Sequence, residues 1–226
     1  MIPWKKLDAA RVPGADGELR LMQRGDEFTI MLGANQLMNS RLSGSEAALA
    51  TLALRQIAAV AMPRILIGGL GMGFTLRAAL EVLPDDAQIV VAELVPAVVA
   101  WARGPMAALF GDSLSDPRVS IQETDVALAL GAKRAAFDAI LLDVDNGPEG
   151  LTRQSNDALY DARGLSATHA ALRPKGVLAV WSSGPNAAFT KRLRSAGFDV
   201  NEVAIRATGR GSSGGARHVI WIATKG

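Results

Sequence analysis

Apolar positions along this chain change their spacing repeatedly, and the changes mark out its elements. Ile65-Leu66-Ile67 and the runs Gln88–Ala92, Val119–Gln122, Ala139–Leu142 and Gly176–Trp181 are short and almost continuously apolar. Between them the spacing becomes helical, over Phe74–Leu83, Pro96–Leu109, Val126–Gly131, Asn156–Leu172 and Ala187–Ala196. Strands alternating with helices of this length predict a parallel sheet wound on both faces, and strands covered on both faces lose their polar alternation. Ahead of this region, residues 1–15 read as an irregular arm. Glu18–Gln23 and Glu27–Leu32 then alternate around Arg24-Gly25-Asp26, the pattern of a hairpin. Ser45–Met62 reads as a helix, with Ser43 or Ser45 available as its cap and Pro63 as its stop. The last two strands, Val200–Ala207 and His218–Thr224, follow one another without a helix and so form an antiparallel hairpin at one sheet edge. Two parts result: an arm and hairpin over 1–44, and a doubly wound, mostly parallel seven-stranded α/β domain over 45–226.

Composition narrows the function classes. The 226 residues are 49% hydrophobic and 20% charged, in the range of a globular domain. No apolar run approaches the roughly 20 residues of a membrane span. Met1–Lys6 lacks the basic region and apolar core of a secretory leader, so the cytoplasm is the default compartment. The absence of cysteine excludes disulfides, thiolate metal sites and a cysteine nucleophile. A net charge of +2 is too small for the chain as a whole to be a polyanion binder. From Ala188 onward seven basic residues face only Asp199 and Glu202, which reads as a solvated face before it reads as an RNA or acidic-substrate surface. The connection Thr208–Arg217, with four glycines and two serines, reads as mobile.

The chemistry gathers at the ends of the strands, where a wound sheet binds its ligands. The first strand of the alternating region runs straight into Gly68-Gly69-Leu70-Gly71-Met72-Gly73 and then into a helix, a turn that brings bare backbone and helix N–H groups close to a ligand. The second ends in Glu93, placed to accept from ribose hydroxyls. The third ends in Thr124-Asp125, where a carboxylate can accept from an adenine amino group. The fourth ends in Asp143-Val144-Asp145-Asn146, beside a reacting centre. Any one of these acids is an ordinary helix cap or turn residue. Together, on consecutive strand ends, they point to an adenosyl cofactor, S-adenosylmethionine or its decarboxylated form. NAD fits less well. The third glycine of its G-x-G-x-x-G fingerprint would fall at Phe74, and a terminal antiparallel hairpin belongs to the methyltransferase sheet rather than the dehydrogenase one.

At these residues the chain resembles the spermidine synthase family within the class I S-adenosylmethionine-dependent methyltransferase (Rossmann-like) superfamily, over about residues 30–181. Leu32-Gly33-Ala34-Asn35-Gln36 is similar to the family's Asp-Gly-x-x-Gln, and Ile67-Gly68-Gly69 to the start of its glycine loop. Asp116-Pro117-Arg118-Val119 and Phe137-Asp138-Ala139-Ile140-Leu141-Leu142-Asp143 match two further motifs, and Glu46 matches a glutamate opening the family's next helix. The resemblance implies that Gln36 lies near the sulfonium, that Asp143 helps deprotonate an attacking amine, that Asp145 stands near the second acid, and that the protein is a homodimer. The chain departs from the family at Gly71, where the loop has an aspartate, and at Gly44, where a tyrosine lines the amine tunnel. Its loop is closer to that of ordinary methyltransferases, whose bare backbone accommodates a methionine carboxylate.

Three readings of function follow. Methyl transfer from S-adenosylmethionine to a small nitrogen or oxygen nucleophile comes first, with Asp143 and Asp145 orienting or deprotonating the acceptor. Aminopropyl transfer comes second. A cofactor-binding protein without transferase activity, or one acting on RNA, comes third; the RNA version lacks an Asn-Pro-Pro-Tyr-type base pocket. No metal is expected. Asp143-Val144-Asp145-Asn146 is similar to the acidic segment of catechol-type enzymes, but their magnesium site needs a second acidic segment where Trp181-Ser182-Ser183-Gly184 stands here. His169, Tyr160, Trp181 and Trp221 read as packing residues, and His218 as a group near the substrate mouth.

Overall fold

The chain folds as two sheets, one laid over the strand ends of the other. The computed structural model describes residues 2–14, 17–131, 133–144, 147–148, 158–206 and 217–226. The smaller sheet is an antiparallel meander of β1 (Lys5–Arg11), β2 (Glu18–Arg24), β3 (Glu27–Leu32) and β4 (Asn35–Asn39). The expected hairpin is β2–β3. Its two-residue turn places Gly25 at a φ of 58° in the first central position, and Arg24 and Glu27 close it with a 2.7 Å ion pair.

The irregular arm expected over residues 1–15 is instead largely strand. β1 reads Lys-Lys-Leu-Asp-Ala-Ala-Arg, an edge strand with one face in water, and such a strand carries little apolar signal. It is anchored at Asp8, whose carboxylate accepts from Trp101 Nε1 at 2.6 Å.

The larger sheet comprises β5 (Arg64–Gly68), β6 (Gln88–Glu93), β7 (Val119–Glu123), β8 (Phe137–Leu142), β9 (Leu172–Ser182), β10 (Phe198–Arg206) and β11 (Arg217–Lys225). Their order is β10-β11-β9-β8-β5-β6-β7. The strands from β9 to β7 run parallel, and β11 and β10 continue the sheet antiparallel at one edge, as the missing last helix implies.

Seven helices with bounds among the described residues accompany the sheets: α1 (Gly44–Arg55), α2 (Phe74–Val82), α3 (Pro96–Arg103), α4 (Ala107–Phe110), α5 (Val126–Leu130), α6 (Ala162–Ala171) and α7 (Ala187–Ser195). Successive residues of β5 go to opposite layers. Ile65 and Ile67 pack in one apolar cluster with Leu49 of α1, Leu76 of α2 and Val98 of α3. Leu66 packs in the other, with Val126 of α5, Leu165 of α6 and Phe189 of α7. Leu21 and Ile30 place the smaller sheet on the first of these layers.

Three helices are shorter than their apolar spacing implies. α1 stops at Arg55, where Gln56 and Ile57 donate to carbonyls three residues back; Ile57 is still buried, so the apolar period outlasts the helix. The run Pro96–Leu109 breaks at Gly104, because Pro105 disfavours helical backbone in the residue before it. The run expected as one helix over Asn156–Leu172 breaks at Asp161, whose extended backbone and carboxylate, accepting from the Gly164 N–H at 2.8 Å, cap α6; residues 156 and 157 lie outside the described residues, as does most of the Thr208–Arg217 connection. Among the described residues, no helix is long and apolar enough to cross a membrane.

Two of the matched motifs serve this scaffold. Asp138 accepts from the Arg64 backbone N–H and from Arg173 Nη1, both at 2.8 Å, tying the starts of β5 and β9 together. Asp116 and Arg118 pair at 2.8 Å, and Arg118 also donates to the Leu83 carbonyl at 3.0 Å, fixing the turn into β7.

Candidate active site

The strand ends of β5, β6 and β8 meet beneath the smaller sheet and enclose a cavity. Its floor is the loop Gly69-Leu70-Gly71-Met72 between β5 and α2. Glu93, Asp125, Asp143 and Glu46 supply its acidic groups. The smaller sheet roofs it with Leu19, Ile30, Leu37 and Met38, and Trp181 at the end of β9 forms a wall.

The loop follows its path because two of its glycines meet atoms that leave no room for a side chain. A Cβ on Gly69 would lie 2.5 Å from the Asp143 carbonyl oxygen, and one on Gly73 would lie 2.3 Å from the Phe110 ring. Gly73 therefore serves packing, at the start of α2, and does not line the cavity. Gly68 is also a packing position, against Val126 and Leu142. Gly69 and Gly71 are the expected loop glycines that do line it.

Glu93 is buried at the end of β6. Its two carboxylate oxygens accept from the backbone N–H groups of Leu70, at 2.9 Å, and Val95, at 2.8 Å. Burial pushes its pKa above the ordinary glutamate value, and the backbone donors oppose that shift. The carboxylate thus holds the glycine loop against β6 while facing the cavity. Replacing Glu93 by Gln turns one acceptor into an amide that confronts a backbone N–H. The expected loss is about 1–3 kcal/mol of unfolding free energy, measured by urea denaturation.

Asp125 lines the cavity and also caps α5, accepting from the Ala127 N–H at 2.9 Å. The cap and the site residue are one group. Thr124, beside it, does not line the cavity.

Asp143, at the end of β8, accepts from Thr75 Oγ1 at 2.6 Å. Burial and the neighbouring Glu46 charge push its pKa up to about 7, against the lowering effect of the Thr75 hydroxyl. A carboxylate tuned to that value can take a proton from a protonated amine near neutral pH. Asp145, the second expected acid, lies outside the described residues.

Gln36 does not reach the cavity. It is exposed on β4 and lines a second depression with Trp4, Arg24 and Phe28. A register shift in the β3–β4 pairing between Ile30 and Met31 turns Leu37 and Met38 toward the site instead.

Trp181 and Ser45 carry no local sequence signal for the site, and His218, expected near the substrate mouth, stands with them. Trp181 is cavity wall as well as core. Ser45 donates to Glu46 Oε2 at 2.7 Å, where the sequence offered it as a helix cap. His218 stands 2.9 Å from Ser45 Oγ and edge-on to Trp181. Burial lowers the His218 pKa, and Glu46 partly restores it. His169, by contrast, packs on the Phe198 ring away from the site.

No family model and no curated protein matches the sequence. Solved structures do match in fold. A spermidine synthase in complex with the transition-state analogue AdoDATO superposes with a TM-score of 0.76 at 19% identity, covering 98% of this chain and 74% of that one. Spermidine synthase from Thermotoga maritima gives 0.74 at 18% identity, covering 98% and 73%. A probable spermidine synthase from Corynebacterium glutamicum gives 0.67 at 16% identity, covering 97% and 79%. The match spans both sheets, and the chain has a spermidine synthase-like fold of the class I S-adenosylmethionine methyltransferase type.

Proposed function

We propose that the protein transfers an aminopropyl group from decarboxylated S-adenosylmethionine to the nitrogen of a small amine. The observation that carries this reading is Asp143. It is a partly buried carboxylate with a pKa near 7, set beside Glu46 in a cavity roofed by an apolar sheet. Two neighbouring acids suit a cationic amine, and apolar walls suit the methylenes of an alkylamine. The spermidine synthase likeness over almost the whole chain supports the same reading and places it ahead of methyl transfer.

The pocket suits a nucleoside sulfonium. Glu93 lines the cavity at the end of β6, where a carboxylate can accept from a ribose diol. Gly69 and Gly71 leave bare backbone beneath the ligand. When bound, the sulfonium supplies an activated carbon–sulfur bond. Asp143 first takes a proton from the acceptor's ammonium, which frees the nitrogen lone pair; the nitrogen would then bond to carbon as the thioether leaves with the carbon–sulfur electron pair. Glu46 holds the cationic form of the acceptor until then. The apolar roof excludes water, which would compete as nucleophile.

Methyl transfer from intact S-adenosylmethionine is the second reading, and Gly71 favours it. The loop offers no carboxylate to an aminopropyl ammonium and leaves room for a methionine carboxylate. Calorimetry of the two sulfonium forms side by side, followed by turnover with short aliphatic diamines, separates the readings. Preference for the decarboxylated form with product formation supports aminopropyl transfer. A tenfold preference for the intact form, about 1.4 kcal/mol, overturns it in favour of methyl transfer.

Gly71 also provides a directed test. Its φ is 51°, a region that aspartate tolerates better than most residues, and a Cβ there meets only the flexible end of Met38, at 3.0 Å. Gly71→Asp is expected to shift the preference at least tenfold toward the decarboxylated form. Its carboxylate would attract the terminal ammonium and repel a methionine carboxylate. Unchanged relative affinities would show that this loop position does not face the ligand's end.

A further inference from the structure

The side chains of Ser45, Glu46 and His218 come from opposite ends of the chain and meet at the cavity wall. Ser45 opens α1 and is 1% exposed. Its hydroxyl lies 2.7 Å from Glu46 Oε2 and 2.9 Å from His218 Nδ1. A serine hydroxyl has one proton. Given to the carboxylate, which only accepts, it leaves the oxygen able only to accept from the histidine. His218 must then carry its proton on Nδ1. The donors run in one direction, from His218 through Ser45 to Glu46, and each bond polarises the next.

The imidazole is held in turn by the Trp181 ring, with centroids 4.7 Å apart and planes at 70°. Trp181 and Glu46 both line the cavity. We propose that His218 and Ser45 are a positioning pair that aims the Glu46 carboxylate into the cavity beside Asp143, where it binds the acceptor's ammonium. This rests on the amine-transfer reading of the site. Neither His218 nor Ser45 touches the reacting atoms; both act through Glu46.

Among the described residues, the charged groups around the pair are few. Glu46 of α1 faces it from the cavity side, with Asp143 at the end of β8 as the neighbour of Glu46. Arg206 and Arg217 pair across the β10–β11 hairpin next to His218 and are exposed, and Arg217 points to the opposite face of the strand. Glu46 is therefore the charge to which His218 is coupled, which agrees with the direction of its effect on the imidazole.

The first test does not depend on turnover. Nitrogen-15 spectra of His218 are expected to show the Nδ1–H tautomer in the native protein and a changed tautomer mixture in Ser45→Ala. A native Nε2–H tautomer reverses the direction of the chain and overturns the proposal, whatever the protein transfers. The second test uses kinetics with a short aliphatic diamine. Ser45→Ala and His218→Phe should each raise KM for the amine about tenfold, change kcat less than threefold and leave sulfonium affinity unchanged. The double variant should be no worse than either single one. His218→Asn, which keeps an N–H near the Nδ1 position, should restore the native KM. The acidic limb of kcat/KM should also move to lower pH in Ser45→Ala, because a Glu46 turned away no longer raises the Asp143 pKa. Additive single effects, or an Asn variant as impaired as Phe, would reduce the pair to simple packing. If the native protein turns over no amine while the tautomer is as expected, the amine-transfer reading falls and the positioning of Glu46 stands.

Discussion

Asp143→Asn is expected to reduce turnover of an amine acceptor by about 10²–10⁴-fold, the usual contribution of a general base, while sulfonium affinity changes less than threefold. A protonated amine has no lone pair with which to attack, so the site must remove its proton. Thr75 fixes one Asp143 oxygen at 2.6 Å, and the Asn oxygen can keep that bond. The amide therefore preserves the geometry and removes only the basicity. The native protein should show a kcat/KM limb rising with pH through about 7, the value to which burial and Glu46 push Asp143. That limb should vanish in the variant. A variant that keeps native turnover would assign proton removal to another group.

The same substitution is expected to stabilise the fold. Asp143 has a folded-state pKa of about 7, and an unfolded aspartate titrates near 3.9. Between those values the folded state binds more protons than the unfolded state, so native stability falls as pH rises from about 4 to about 7. The asparagine variant lacks this loss. Its advantage should be close to nil at pH 4 and should grow to a few kcal/mol above pH 7, read from urea denaturation at several pH values. An advantage that shrinks with rising pH would show that the Asp143 pKa is depressed instead. Loss of turnover together with gain of stability is what a strained catalytic group produces and a structural one does not.

The parts of this molecule legible in its sequence are those encoded locally. β5, β6 and β8 are covered on both faces, so their apolar runs announce a wound sheet whatever lies far along the chain. Gly69, Glu93, Asp125 and Asp143 follow such strands directly, and the topology alone carries them to one cavity. β1 and β4 were not legible, since each is short, partly exposed and polar on one side. Gln36 shows the limit of a motif match. Its local sequence fits, but one register shift between Ile30 and Met31 decides which face of β4 looks into the site. Ser45 and His218 stand 173 residues apart and meet only because β11 lies beside β9, the strand on which α1 packs. No spacing in the sequence announces that contact.

Gly69→Ala is expected to cost about 2–5 kcal/mol, a large part of the 5–15 kcal/mol that holds a domain together. Two effects add. Gly69 has a φ of 89°, where a side chain is strained by about 1–2 kcal/mol. Its Cβ would also stand 2.5 Å from the Asp143 carbonyl oxygen, and overpacking of that kind typically costs about 1–3 kcal/mol. The crowded atom cannot withdraw easily. Asp143 N–H donates to the Gly68 carbonyl at 3.0 Å, and Gly69 N–H donates to the Ala92 carbonyl at 2.9 Å, so any retreat pulls on β5, β6 and β8 together. Gly71→Ala provides the contrast. It bears similar backbone strain at 51°, but its Cβ meets the pliant Met38 side chain at 3.0 Å, so about 1–2 kcal/mol is expected. Urea denaturation of the two variants side by side measures the difference. Equal losses would mean that backbone strain alone sets the cost and that the approach of Gly69 to β8 does not. The larger loss at Gly69 would make it the structural hinge of the loop and leave Gly71 as the position where side chains can change, and with them the sulfonium that the site selects.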